Sequence, residues 1–476
     1  MNEKHRRPRN KLHVSEHARG SPLGAVKAAV SLLIALWLAA TASVLGAPLQ
    51  VFNADAVRLS RLDSGLRVVV KEDHSWPVVA INLVVRAGSC RESAQDNGIA
   101  HCLEHMIFRS AGSAGPDSLS APIEAVGGTV NGGTLRDYTY FTAIVPAPQF
   151  AMALERLARA VTKPSFRGLD ITAEKIVLLR EAQQAADQPD AAAWDTAFRL
   201  AYNGHAYGLP IGGTETSLAS INADALEAFH RRWYTANNAS IVIVGDVGGE
   251  QARTAVASAF AQWPAADPPP DLPALPPLEV SQESVTQRDV SAATVLMGFR
   301  TIGTANPREV CAVDLLLTIL GEGYSSRLQR ALLEGHLADE MAANFLTQKL
   351  PGLLGIRVEC APERVPNVRS AIEREVTRLQ QEAVGDDELE RAKQRVIRAV
   401  AFTAETFGGQ AALLGFYEAI ATYENALNYL DAVRALTSAD VQAAASAYLV
   451  PGRAVWVAIM PTAEASTGPA SPPGAP

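Results

Sequence analysis

The sequence predicts an α+β protein in which one domain is written twice, and three observations carry that expectation. A proline-rich run, residues 264–277 (PAADPPPDLPALPP), separates two halves of the 476-residue chain. Such a run can join neither a helix nor a central strand, so residues 264–280 read as an extended linker. Landmarks then recur at one offset. Tyr234 is followed seven residues later by the apolar stretch 241–244 (IVIV), and Tyr448 by 455–458 (VWVA); the offset is 214, and Glu388 follows Glu174 by the same interval. Coincidences at one spacing are the mark of an internal duplication. Finally, stretches with strand periodicity and stretches with helix periodicity segregate along each half rather than strictly alternate, which favours α+β over α/β.

Taken in order, residues 66–70 (LRVVV) and 78–85 (VVAINLVV) are rich in β-branched residues and read as strands. A buried helix follows, spanning Gly98 to Phe108. Residues 129–131 and 138–145 read as two strands flanking a Gly132-Gly133 turn, since paired glycines are a common hairpin signal. Residues 149–163, 171–188 and 223–233 carry helical periodicity before the closing strand at 241–244. In the second half, 313–320 (VDLLLTIL) is an apolar helix. The first domain is expected over 55–263 and the second over 281–461, with a disordered Pro/Ser/Ala/Gly tail at 462–476.

Residues 1–47 differ in kind. A basic stretch (Lys4, Arg6, Arg7, Arg9, Lys11, Arg19, Lys27) precedes an uncharged run from Ala28 to Ala47. This reads as a secretory signal with a small-residue cleavage site at 40–42, or as a membrane anchor if it is not cleaved. The expected location is the bacterial periplasm, with contact to membrane only through this segment. Without residues 1–47 the chain carries 35 Lys/Arg against 48 Asp/Glu, a formal charge of −13. That balance excludes nucleic acid as the main partner. An oxidising compartment would permit disulfides among the four cysteines, Cys90/Cys102 and Cys311/Cys360 being the sequence-local pairings.

The chemistry concentrates at His101-Cys-Leu-Glu104-His105. Histidines four apart stack on one helix face, and a glutamate at the third step shares it. Two neutral imidazoles suit a divalent metal, and the carboxylate between them can hold a water. H-x-x-E-H is the inverse of the H-E-x-x-H zinc-protease motif. Two core histidines flanking a glutamate would be the bland explanation, but three ionisable groups buried without a shared partner are costly. Cys102, between the ligands, reads as a packing residue. Shifted by 214, the positions of His101, Glu104 and His105 fall on Leu315, Thr318 and Ile319, so the second copy keeps the helix and lacks the chemistry. A catalytic zinc needs a third protein ligand. Glu174 and Glu181, seven apart on one helix, are both candidates, and their spacing does not choose between them.

H-x-x-E-H followed 76 residues after its last histidine by a glutamate resembles the pitrilysin-type inverzincins, in particular the branch of the mitochondrial processing peptidase and its bacterial two-domain relatives. Further landmarks are residues 62–70, 86–89, 127–131, 234–246 and 320–328. The resemblance implies two homologous domains of the metallopeptidase (LuxS/MPP-like) type, each an antiparallel or mixed sheet covered by helices. It implies one Zn2+ per chain, held by His101, His105 and Glu181, with Glu104 as general base and Glu174 steering a ligand from behind. It also implies that a peptide substrate adds as a strand beside residues 127–131, with Asn131 binding it.

One feature of the family is missing. Its members carry an arginine and a tyrosine, seven residues apart, after the landmark that here reads Ser325-Ser-Arg-Leu328; the aligned positions are Leu333 and Glu340. The expectation is therefore a zinc endopeptidase that acts as the metal-bearing subunit of a heterodimer, its homologous partner chain supplying the Arg/Tyr pair. The alternative is a non-catalytic zinc-binding scaffold subunit of a peptidase-like complex.

Overall fold

Each half builds one sheet backed by helices, and the two sheets share one strand order. The computed structural model describes residues 52–110 and 118–462. The expected signal or anchor (1–47) lies outside these residues, as does the expected tail beyond Thr462. Strands β1 (Val57–Arg61), β2 (Arg67–Glu72), β3 (Val78–Val85), β4 (Thr129–Thr134), β5 (Thr139–Pro146) and β6 (Ala239–Gly245) form the first sheet, in the order β1-β2-β6-β3-β5-β4. Strands β7 (Gln282–Arg288), β8 (Ala293–Arg300), β9 (Glu340–Leu346), β10 (Leu353–Cys360) and β11 (Val455–Pro461) form the second, in the order β7-β11-β8-β10-β9. Leaving out β1, the orders are the same. In each sheet one pair is parallel, β2 with β6 and β7 with β11, and the rest are antiparallel. Strand β10 begins and ends 214 residues after β5, so the duplication inferred from three landmarks extends to whole elements. The α+β class and the two homologous domains expected from the sequence are both present.

Burial follows position in the sheet. All seven residues of β6 and seven of eight in β3 are buried, which explains their unbroken apolar sequences: both faces are covered. Strand β5 alternates buried and half-buried positions because one face lies in the main core while Tyr140 and Ile144 on the other are only partly covered. Helices α1 (Ile99–Ser110), α2 (Phe150–Thr162), α3 (Gly168–Asp187), α4 (Pro189–Ala201), α5 (Ala223–Trp233) and α6 (Gly249–Ala259) belong to the first half. Helices α7 (Pro307–Gly321), α8 (Val365–Gln381), α9 (Asp386–Thr403), α10 (Phe407–Ile420), α11 (Glu424–Arg434) and α12 (Ser438–Tyr448) belong to the second. Among the described residues no helix is long and apolar enough to cross a membrane.

The halves are joined by exchanged helices. Helix α4 buries Ala193, Ala197 and Phe198 against Leu296, Leu353 and Val457 of the second sheet. Reciprocally, α10 buries Ala411 and Leu414 against Val69, Ala80 and Val242 of the first. Asn82 Nδ2, in the middle of β3, donates to the α10 carbonyl of Ala411 at 3.1 Å.

Three sequence readings change in detail. Gly132 and Gly133 do not form the turn: they lie inside β4, and the reversal runs through residues 135–138, where Leu135 N donates to Tyr138 O at 2.9 Å. The glycines are there for close approach, since a Cβ on Gly132 would stand 2.6 Å from the Phe108 ring. The proline-rich segment is extended but is no free spacer. Leu272, Leu275 and Leu278 pack on the cluster between the halves, and Arg91 Nη1 donates to Pro270 O at 2.7 Å. All four cysteines are free and buried. Cys102 packs in the first core and Cys90 in the cluster between the halves, so that sequence-local pair is divided between two packing environments.

Candidate metal centre

Helix α1 is anchored at its N-terminus by a carboxylate from outside it. Glu92 Oε2 accepts from Gly98 N and Asn97 Nδ2, both at 2.8 Å, and Oε1 accepts from Ala100 N at 2.9 Å. An anion there satisfies first-turn N–H groups and complements the helix dipole. Burial pushes the Glu92 carboxyl up to about 7 despite those bonds. Gly98, at φ +90°, packs on Gly213, and a Cβ would stand 2.8 Å from the Gly213 Cα. One face of α1 (Ala100, Cys102, Leu103, Met106, Ile107) is core. Cys102 is the packing residue the sequence suggests, its thiol pushed by burial up to about 12.

The adjacent face presents the histidines. The His101 and His105 rings lie 4.7 Å apart, edge to face. Glu181, on α3, places Oε2 at 3.9 Å from His101 Nε2 and 3.6 Å from His105 Nε2. The three donor atoms all lie within 4.8 Å of one another. Ligands on a tetrahedral zinc at about 2.1 Å are roughly 3.4 Å apart, so this donor set fits the ion after small side-chain adjustments. Burial, with a smaller contribution from His105, lowers the His101 pKa to about 4, leaving a neutral imidazole able to ligate.

Glu174, two turns before Glu181, does a different job. Its Oε2 lies 3.1 Å from His105 Nδ1, and its Oε1 accepts from Arg109, which also approaches Asp170 at 3.5 Å. A proton on Nδ1 donated to that carboxylate leaves the Nε2 lone pair facing Glu181 and His101. The structure thus separates two glutamates that spacing alone could not. Glu104 lines the same cleft as His105 and reaches the sheet. Its carboxyl is buried, and its Oε2 accepts from Thr134 Oγ1 at 2.8 Å. Burial raises the Glu104 pKa, and the Thr134 hydrogen bond opposes the rise.

Strand β4 ends its sheet, so among the described residues one side of its backbone has no strand neighbour. A cleft of about 460 Å3 lies between this edge and α1, lined by Glu104, His105 and Phe108 on one side and Val130, Asn131 and Gly132 on the other. The Asn131 side chain is taken up locally, its Oδ1 accepting from Gly132 N at 2.9 Å. At the aligned pair positions, Leu333 sits in the single turn Gln329–Glu334, and Glu340 opens β9, where it pairs with Arg357 at 3.1 Å. Sequence reasoning missed Thr134 and Arg109. Arg109 was within reach, since it lies four residues beyond His105 on the same helix face; nothing in the sequence announces Thr134.

Residues 67–215 match the sequence pattern of the insulinase family (peptidase family M16), and residues 220–396 match the peptidase M16 inactive domain. A protein named as an uncharacterized zinc protease, YmxG of Bacillus subtilis, is 26% identical over 376 residues, 78% of this chain and 91% of its own. The mitochondrial-processing peptidase subunit beta of Bos taurus is 26% identical over 354 residues, covering 72% and 71% of the two chains. The solved structure of a protease from Helicobacter pylori superposes with a TM-score of 0.80 at 21% identity, covering 85% of this chain and 99% of that one.

Proposed function

With a peptidase M16 domain in its first half and that family's inactive domain in its second, the chain belongs to peptidase family M16, and we propose that it is a zinc-dependent endopeptidase of the branch that holds the processing peptidases and their bacterial two-domain relatives. The observation that carries this reading is the convergence of His101, His105 and Glu181 within 4.8 Å, beside Glu104 and beside an unpaired strand edge. The substrate is a peptide or small unfolded protein that adds to β4 as an extra strand, its main chain bonding the free edge and Asn131 lying at the contact.

Zinc held by His101, His105 and Glu181 would acidify a water and polarise the scissile carbonyl. Glu104 receives the proton of the attacking water and delivers it to the leaving amine. The Thr134 hydrogen bond fixes one oxygen of Glu104 and leaves the other for that transfer. Glu174 holds His105 in the ligating tautomer. The chain should bind one zinc, and Glu181→Ala should lose it. Glu174→Gln should weaken zinc by about 10–100-fold without removing a ligand. Competition with a chromogenic chelator measures both, and an unchanged affinity for Glu174→Gln would remove Glu174 from the site.

Nothing at Leu333 or Glu340 can clamp a substrate or stabilise an oxyanion, which supports a heterodimer with a homologous, exported chain carrying the Arg/Tyr pair. The basic and then apolar N-terminal segment supports a periplasmic location. Purified alone, the chain should cleave an unfolded peptide weakly; mixed with such a partner, it should gain activity at a 1:1 ratio. Full activity from the isolated monomer would overturn the heterodimer.

A further inference from the structure

The second half retains a cavity at the position of the metal centre, with an arginine where the third donor stood. At the 214-residue offset, Glu104, His105, Glu174 and Glu181 correspond to Thr318, Ile319, Glu388 and Arg395. All four of these line one cavity of about 40 Å3 at the end of α7. One water needs about 10–15 Å3 on this measure, so there is room for a group of several atoms. Where the first half brings a third donor for a cation, this one brings a guanidinium.

The charges around it leave cation in excess. Glu388 is held by Arg327 through paired bonds of 3.0 and 2.8 Å, and Glu322 receives Thr318 Oγ1 at 3.1 Å with Arg395 Nε at 3.5 Å. Both carboxylates are therefore engaged. Arg391 lines the cavity, and Arg330 is close enough for its charge to act on Glu388. Ser326 also lines the cavity; it is only 4% exposed, and its Oγ has no hydrogen-bond partner. A buried hydroxyl with no partner among the described residues is free to donate to a group held in the cavity. The Arg327 Nη1 is likewise buried and unpartnered.

We propose that this copy of the site binds a small tetrahedral oxyanion, phosphate or a phosphate group, between Ser326, Arg391 and Arg395. Guanidinium groups and a hydroxyl donor are the side chains that suit such a ligand. The proposal does not depend on the first half being a peptidase.

Inorganic phosphate titrated calorimetrically into the full chain, at ionic strength matched with chloride, should bind saturably at one site. Arg391→Ala, a change at an exposed helix position, should weaken it at least tenfold, as should Ser326→Ala. Glu181→Ala, which removes one of the first half's three donors, should leave it unchanged. Three results would overturn the proposal: no saturable binding, equal binding in the Arg391 and Ser326 variants, or loss confined to Glu181→Ala. Acetate titrated in parallel should fail to saturate; acetate binding as tightly as phosphate would show a carboxylate site instead.

Discussion

Glu104→Gln should lower peptide hydrolysis by about 10²–10⁴-fold, measured with the partner chain present, while zinc content stays at that of the unaltered chain. The amide has the size of the carboxylate and its oxygen can still accept from Thr134 Oγ1, so the local packing is kept. What disappears is the ability to take a proton from water. His101→Ala differs in kind, since it removes a donor and should cost both zinc and activity. The pair of variants separates the peptidase from the scaffold reading. A scaffold has no use for a base, so Glu104→Gln would leave its assembly and any cellular role intact. Cleavage within threefold of the unaltered chain would eliminate Glu104 as the base and with it the proposed mechanism. Burial adds a pH signature. The Glu104 carboxyl titrates above its ordinary range, so base activity should fall as pH drops through that raised pKa, and the acid limb should vanish in the Gln variant.

The sequence exposed what is local and hid what is tertiary. His101, Glu104 and His105 are neighbours on one helix, so their shared face follows from helical geometry. Glu181 was chosen over Glu174 only by resemblance, because both lie on the same face of α3; what distinguishes them is which imidazole nitrogen each meets, and that depends on how α1 crosses α3. Helix α4 is not legible in the sequence. Its sequence, PDAAAWDTAFRLA, owes its burial to the sheet of the other half, a partner no local periodicity can reveal. The paired glycines of β4 were read as a turn because that is their usual office in hairpins. Here they admit the Phe108 and Tyr140 rings beside the cleft, while the true turn, residues 135–138, contains no glycine. Arg86, in the landmark at 86–89, has no evident role in the sequence. The structure supplies one, in the contact that joins the halves.

That contact yields the largest expected change in stability. Glu418, on α10, is fully buried, and two arginines of the first sheet converge on it. Arg67 approaches through Nε and Nη2, Arg86 donates Nη2 to Oε1 at 3.0 Å, and Ser240 Oγ and Tyr423 N donate to the same carboxylate at 3.0 and 3.1 Å. Arg86 Nη2 also donates to the Glu418 carbonyl at 2.8 Å. Burial, aided by the like charges of Arg67 and Arg61, lowers the Arg86 pKa, and the Glu418 charge is the main influence opposing it. Glu418→Ala would leave two guanidinium groups, each 24% exposed, without the buried carboxylate they share. Breaking a buried ion pair from one side typically costs about 3–5 kcal/mol, because the stranded charge keeps its desolvation penalty. The expected result is a fall of that order in urea-unfolding free energy, with the halves parting at lower denaturant than either sheet melts. Removing the exposed Glu250–Arg253 pair on α6 should shift the midpoint little, since solvent screens it. Replacing Glu418, Arg67 and Arg86 together with apolar residues should recover much of the loss, because no charge is then stranded. If Glu418→Ala unfolds at the same midpoint as the unaltered chain, the cluster is not what holds α10 on the first sheet, and the apolar contacts of Ala411 and Leu414 carry the exchange by themselves.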